Sequence, residues 1–377
     1  MSDSDHDRIV EAAHRLAQGR LVAFPTETVY GLGADAENPA AVARIYAAKK
    51  RPANHPIIVH LAPDTDPAYW VTTVPPLARK LMAAFWPGPL TLILPRAAHI
   101  PDDVSGGQAS IGLRCPSHPV AQTLLHVFAG LKSHGCGGVA APSANQFGQV
   151  SPTRAAHVRR EFPELDEQSL MILEGGESEV GIESTILDLS RLDRGIAPTL
   201  LRPGGISILQ LADVLGELPA LPDAAAPRVS GSLKAHYAPH TPLSLISTET
   251  LTAWGHRADR AGLADGAGRG AGRDLHRAEI PAGGGDALAP SRWPPKADSS
   301  QRVAVVVLGA APGPAPEGVD WVIAPDDPAA YAHRLYALLR ELDAAGYDRI
   351  VLQRPPMEPA WQGVNDRIGR AAAAFER

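Results

Sequence analysis

Leu21 to Phe24 form an apolar run that passes directly into PTETVYGLG (Pro25–Gly33), a stretch of hydroxyls, one glutamate and glycines. Runs of this kind recur at PIIVHL (56–61), LTLIL (90–94), SIGLR (110–114) and TILDL (185–189), each bordered by turn-forming or polar residues. Short apolar runs bounded in this way read as buried strands that end in loops. Helical spacings lie between them. Ile9, Ala12, Ala13 and Leu16 fall on one helix face that Gly19 stops, and NPAAVARIYAAKK reads as a helix capped by Asn38 with Pro39 in its first turn. Further helices are expected over 75–85, 118–128 and 153–161, and further strands over 138–141, 169–174 and 199–202. The order has no strict βαβ repeat, so the expectation is an α/β fold built on a twisted, mixed open sheet with flanking helices.

A chain of 377 residues is long for one domain. The expected division is a first domain over 1–212, a connector over 213–242 and a smaller α/β, Rossmann-like domain over 243–377. In the last of these, LSLI, RVAVVVLG, DWVIAP and RIVLQ alternate with helices from about 327 to 344 and from about 363, which suggests a small parallel sheet. Residues 255–300 are rich in Gly, Ala, Arg, Asp and Pro without periodicity and are expected to be a mobile insertion.

The formal charge of −6 argues against a chain that wraps nucleic acid through its overall field, while leaving room for a local basic pocket. The two cysteines, Cys115 and Cys136, have neither disulfide-framework nor zinc spacing, and the 14 histidines include no HExxH. The N-terminal segment is acidic and amphipathic, and no uninterrupted apolar run reaches about 18 residues. A cytoplasmic setting without membrane insertion is the expectation. Neither GxxxxGK[ST] nor GxGxxG occurs after a strand, so any phosphate site is of another kind.

Candidate chemistry concentrates where strands and helices end. AAKKRP places Lys49, Lys50 and Arg51 at a helix end, either as solvated charges that complement the helix dipole or as a phosphate grip. APSANQFGQVSPT (Ala141–Thr153) packs small hydroxyl and amide groups beside glycine, with Ser151 as helix N-cap and Pro152 in the first turn; such a cap also suits an anion. GIESTILDL supplies Glu183, Ser184 and Thr185, LLRPGG supplies Arg202, and His60 ends a strand. The clusters show no aromatic stacking platform and read as one small-molecule pocket. SGSLKAHYAPHTPL carries Lys234, His236, Tyr237 and His240, more than a tether needs, and is expected to dock over the pocket as a lid.

Taken in order, FPTETVYGLG, AKKRP with HPIIVH, WPGPLTLIL, APSANQFGQVSPT, GIESTILDL and LLRPGGIS resemble the YrdC-like family of threonylcarbamoyl-AMP synthases over about residues 8–212. SGSLKAHYAPHTPL and VNDRIGRAAAA resemble the linker and second domain of its long, two-domain form. The resemblance implies synthesis of threonylcarbamoyl-AMP and pyrophosphate from L-threonine, bicarbonate and ATP, with Mg2+ accompanying the phosphates, for delivery to tRNA-modifying threonylcarbamoyl transferase proteins. Carried over by motif, Thr28, His60, Arg114, Ala141 and Ser184 would bind threonine. Arg51, His55, Ser110, Ser143, Asn145, Ser151, Arg202 and His236 would bind ATP, with Lys49 and Arg51 in the catalytic role. His55 stands where the family often has asparagine, and Phe147 is bulkier than the residue expected there.

Two other readings give different outcomes. A related transferase that handles carbamoyl-AMP would bring zinc-binding segments, which two cysteines cannot supply. A non-catalytic double-stranded RNA-binding module, or a weak tRNA contact of an enzyme, would need a basic surface that the net charge does not favour.

Overall fold

A computed structural model of the protein describes residues 3–253 and 301–376. The expected insertion at 255–300 lies outside the described residues.

The first half is one mixed sheet of nine strands: β1 (Leu21–Phe24), β2 (Gly31–Asp35), β3 (Ile58–His60), β4 (Leu90–Pro95), β5 (Ser110–Arg114), β6 (Val139–Ala140), β7 (Leu170–Ile172), β8 (Thr185–Asp188) and β9 (Thr199–Arg202). Their order across the sheet is β7-β1-β2-β6-β3-β5-β4-β8-β9. Three parallel pairs (β1 with β7, β3 with β5, β4 with β8) are mixed with five antiparallel ones, as the missing βαβ repeat led one to expect. Helices α1 (Asp3–Ala17) and α4 (Pro119–Gly130) cover one face, where Ile9, Leu16, Leu124 and Phe128 pack on Val22 and Phe24. Helices α2 (Pro39–Lys49), α3 (Pro76–Phe85) and α6 (Ile208–Leu215) cover the other, where Ile45, Leu81 and Leu211 join Leu32, Leu92 and Leu113. Each such side chain, fully buried, contributes ~1.5–3 kcal/mol, so both faces carry a core of their own.

Three sequence expectations are corrected. The glycines of FPTETVYGLG do not close a loop; Gly31 begins β2, which runs back antiparallel to β1. At Gly33 a Cβ would lie 2.9 Å from both Phe24 and Val139, so the strand crosses where only glycine fits. Ser151 is not a helix N-cap, because α5 (Ala155–Glu161) starts later, behind Arg154, with no side-chain cap. The connector expected from residue 213 begins inside a helix: Ser207 and Gln210 form a reciprocal capping box that opens α6, and Gly216, at φ 85°, closes it.

The second half is a parallel sheet, β10 (Leu243–Ile246), β13 (Arg349–Gln353), β11 (Val303–Leu308) and β12 (Val319–Ala324) in that spatial order. Helices α7 (Pro328–Ala344), capped by Asp327, and α8 (Gln362–Ala373) pack on it. Its core is continuous with the first half, since Val29, Val150, Ile182 and Tyr237 share one apolar cluster with Leu335, Leu339, Val364 and Ile368. Among the described residues, no helix is long and apolar enough to cross a membrane.

Candidate active site

β3 and β5 run parallel with His60 opposite Arg114, so both side chains leave the sheet together at neighbouring strand ends. The β1–β2 loop brings Thr28 to the same cleft. Thr26 Oγ1 accepts the amides of Thr28 and Val29, both at 3.2 Å, and so fixes that turn. Ala141 and Ser143 enter from the end of β6, Ser184 from the start of β8, and Arg202 from the end of β9. Arg51 follows α2, whose C-cap Lys50 takes a left-handed conformation at φ 52° and turns the next residue inward. The linker contributes Ser230, Gly231, His236 and Tyr237. Together these groups surround about 530 Å³ of atom-free space, its open mouth included.

The cleft has two chemically distinct sides. On the first are Thr28, His60 and Arg114, all buried. Arg114 also pairs with buried Glu27, Nη2 to Oε1 at 2.7 Å, a partner that sequence reasoning missed. Burial, with the Arg114 charge behind it, pushes the His60 imidazole down to about 3, so it stands neutral at pH 7. On the second side are Arg51 and Arg202. Arg202 donates through Nε (3.1 Å) and Nη2 (2.8 Å) to the Ser184 carbonyl, and Ser184 Oγ lies 2.8 Å from Thr91 Oγ1. Burial pulls Arg51 down to about 10, which leaves it charged at pH 7.

Several buried polar atoms here make no hydrogen bond among the described residues: Arg51 Nε, His60 Nδ1, His236 Nδ1 and Tyr237 Oη. Native interiors rarely leave such groups unpaired, and when they cluster in a cleft they mark where a polar ligand belongs.

The other expected residues lie behind or beside the cleft. Lys49 is buried, and its ammonium donates to the carbonyls of Ser143 (2.6 Å) and Asn145, so it braces the 143–145 loop. Burial first, then Arg51, pushes its pKa well down. The solvated reading of AAKKRP thus holds for Lys50 alone. Asn145 Nδ2 ties the same loop to the carbonyls of Gln146 and Gln149 (2.7 and 2.9 Å). Ser110 lines an adjoining shallow pocket with Ile58, Ile93 and Val229. His55 meets Phe147 edge-on at 5.3 Å, Phe147 meets His236 at 6.1 Å, and His236 meets Tyr237 at 4.1 Å. The members of this edge-on row come from separate segments, and of them only His236 and Tyr237 line the cleft.

The linker is hydrogen-bonded to both halves. Ser230 Oγ donates to the Pro56 carbonyl at 3.0 Å, Ala238 N donates to the Gly148 carbonyl at 3.0 Å, and His236 N donates to the Arg370 carbonyl at 3.2 Å. Tyr237 sits at φ 63°, unusual for an aromatic residue, with its ring beside Arg367. The least expected participant is Glu183, which lines the cleft yet takes two of its three side-chain donors from the second half: Tyr336 Oη at 2.9 Å and Arg367 Nε at 2.7 Å.

Comparison with known proteins agrees with this architecture. The Sua5/YciO/YrdC family model, described as "Telomere recombination", matches residues 14–204, and the model described as "Threonylcarbamoyl-AMP synthase, C-terminal domain" matches residues 206–373. Threonylcarbamoyl-AMP synthase of Pyrococcus abyssi is 39% identical over 240 residues, and that of Bacillus subtilis 41% over 243. These alignments cover 62% and 63% of this chain and 66% of each relative, just under two thirds of their length. The crystal structure of P. abyssi Sua5 complexed with L-threonine superposes with a TM-score of 0.75 at 28% identity, covering 98% of this chain and 95% of that one. The chain therefore belongs to the Sua5/YciO/YrdC family, in the two-domain form whose second half is the threonylcarbamoyl-AMP synthase C-terminal domain.

Proposed function

We propose that this protein joins L-threonine, bicarbonate and ATP into threonylcarbamoyl-AMP and pyrophosphate. The observation that carries the reading is two groups of side chains on one cleft: Thr28 with the neighbouring His60 and Arg114, the latter balanced by Glu27, and the cations Arg51 and Arg202, bridged by Ser230. An amino acid fits the first and a polyphosphate the second. The threonine amine adds to bicarbonate with loss of water to give a carbamate. A carbamate oxygen then attacks the α-phosphorus of ATP, and pyrophosphate carries away the bonding pair. Such a sequence needs reactants held in line and their charge neutralised rather than a protein nucleophile, and the cleft offers hydroxyls, amides and cations for that purpose.

Magnesium enters this reading as part of the magnesium–ATP substrate. The described residues hold no cluster of three or more carboxylates, histidines or cysteines that would bind it, and Glu183, on the cleft wall, is committed to Arg367, Tyr336 and Ser151. Transfer of the threonylcarbamoyl group to the tRNA adenosine beside the anticodon falls, on this reading, to separate transferase proteins in the cytoplasm.

The test is pyrophosphate release from magnesium–ATP by the purified full chain, with threonine and bicarbonate omitted in turn. Release should require both. Release indifferent to threonine rejects the proposal and favours a related acyl-adenylate chemistry, and no release under any condition favours a binding module.

A further inference from the structure

A carboxylate on the wall of a polyphosphate site is electrostatically out of place. Glu183 is such a group: it lines the cleft with Arg51 and Arg202, and it is 7% exposed. Left free, it would pair with Arg202 and neutralise a cation that the nucleotide needs. Its actual commitments point elsewhere. Oε1 accepts from Ser151 Oγ at 2.5 Å, and Oε2 accepts from Tyr336 Oη at 2.9 Å and Arg367 Nε at 2.7 Å. Burial acts to raise the Glu183 pKa, but the charges of Arg367 and then Arg202 outweigh it and hold the carboxyl down at about 2.

The two donors from the second domain do more than neutralise. Arg367 Nη2 also reaches the Glu183 carbonyl at 3.2 Å, and its Nη1 the Pro203 carbonyl at 2.9 Å. One guanidinium thus ties together the segments that carry Ser184 and Arg202. It has no exposure of its own in which to swing away, and Asp366, at 2.7 Å, balances its remaining charge. Tyr336 is equally buried and rises from α7.

We propose that Glu183 is a positioning residue through which the second domain sets the nucleotide side of the cleft: Arg367 and Tyr336 hold its carboxylate away from Arg202, keep Ser151 in place, and so leave the Arg202 charge without a carboxylate to neutralise it. The inference rests on the reading of the cleft as a nucleotide site. It gives the second domain a part in substrate binding that is separate from anchoring the linker.

The test is binding of α,β-methylene-ATP, whose α–β linkage the proposed reaction cannot break, to the full-length protein by calorimetry, at fixed salt. Arg367→Gln frees the Glu183 charge and should weaken binding by about tenfold or more, because an unpaired carboxylate then competes for the cation. The double variant Glu183→Gln, Arg367→Gln removes the competitor and should return to within about threefold of wild type, a rescue that loss of packing alone would not give. Tyr336→Phe keeps the ring, loses one hydrogen bond, and should weaken binding about threefold. His333→Ala removes another contact between the two halves, His333 Nδ1 with the Ser178 carbonyl at 3.0 Å, and should leave affinity within about twofold.

A double variant as weak as Arg367→Gln overturns the proposal, as does a loss in His333→Ala equal to that in Tyr336→Phe. If Arg367→Gln does not fold, Tyr336→Phe decides, and wild-type affinity there overturns it. Wild-type protein that binds the analogue without threonine-dependent pyrophosphate release refutes the synthase reading and leaves this inference to be judged on affinity. Wild-type protein that does not bind the analogue refutes both.

Discussion

Arg51 Nη2 lies 2.9 Å from Ser230 Oγ, so a cation proposed for phosphate is occupied by the linker. The same guanidinium nitrogen donates to the Pro56 carbonyl at 2.8 Å, and Arg202 Nη1 holds the Ser230 carbonyl at 2.9 Å. A nucleotide must share or displace the hydroxyl. Ser230→Ala is expected to lower KM for ATP about two- to fivefold, the worth of one modest hydrogen bond. Steady-state kinetics at saturating threonine checks this, and a raised KM would mean that Ser230 assists the nucleotide. Arg51→Ala should lose most turnover in the same assay.

Glu27 and Arg114 form a buried pair on the amino-acid side. Removing one partner of such a pair leaves the other charge misplaced and without its orienting contact. Glu27→Gln is expected to raise KM for L-threonine about tenfold while KM for ATP stays within twofold. Equal shifts in both constants would show that the pair supports the whole cleft rather than Arg114.

Gly231 adopts φ 74°, where a Cβ is strained, and that Cβ would overlap Tyr237 Oη and lie 3.1 Å from Arg202 Nη1. Gly231→Ala should therefore cost about 1 kcal/mol of stability and displace Tyr237, with turnover down about tenfold. Thermal melts and kcat measured together check it. Wild-type kcat in a stable variant would remove Tyr237 from the reacting state.

Acid sensitivity should begin above the carboxylate range. Burial holds His60 and His236 at about 3 and His157 at about 4, against an ordinary value near 6.5. Above pH ~6.5 these groups are neutral whether the chain is folded or not, and they add no pH dependence. As pH falls below that value, the unfolded chain takes up protons that the native state refuses, so stability is lost at up to ~1.4 kcal/mol per group per pH unit. Denaturant midpoints should fall between pH 6.5 and 5, and His157→Gln should flatten the slope. An unchanged slope in that variant would place the sensitivity elsewhere.

Strands bounded by sharp turns were legible from local sequence: β4 at 90–95 and β5 at 110–114 fall where the apolar runs placed them. The cleft residues His60 and Arg202 also came from their strand-end positions, and Arg114 came from the family resemblance. Missed features depend on partners distant in sequence. Gly31 and Gly33 read as loop because alternation cannot show that Phe24 and Val139 need the space. Lys49 was open to reading as a solvated charge or a phosphate grip, and its bracing role went unseen because its acceptors, the carbonyls at 143 and 145, arrive from another loop. Glu183 was visible as a polar residue before a strand, but its donors Tyr336 and Arg367 lie 153 and 184 residues away. A buried carboxylate demands donors, which was the available clue, yet nothing local says which ones.

Where the halves meet, a Cβ on Gly363 would lie 3.0 Å from the Gly204 carbonyl, and two residues beyond Gly204 the chain reaches Ile206, in the core of the first half. The seam is a machined fit, closed by missing methyl groups on one side and by a buried guanidinium a turn farther along α8. For anyone recombining family members, the second domain is consequently not an interchangeable cartridge. A graft would need to bring its own matched seam, Gly363, Arg367 and Tyr336 together with Gly204 and Glu183, or the parts would assemble without registering.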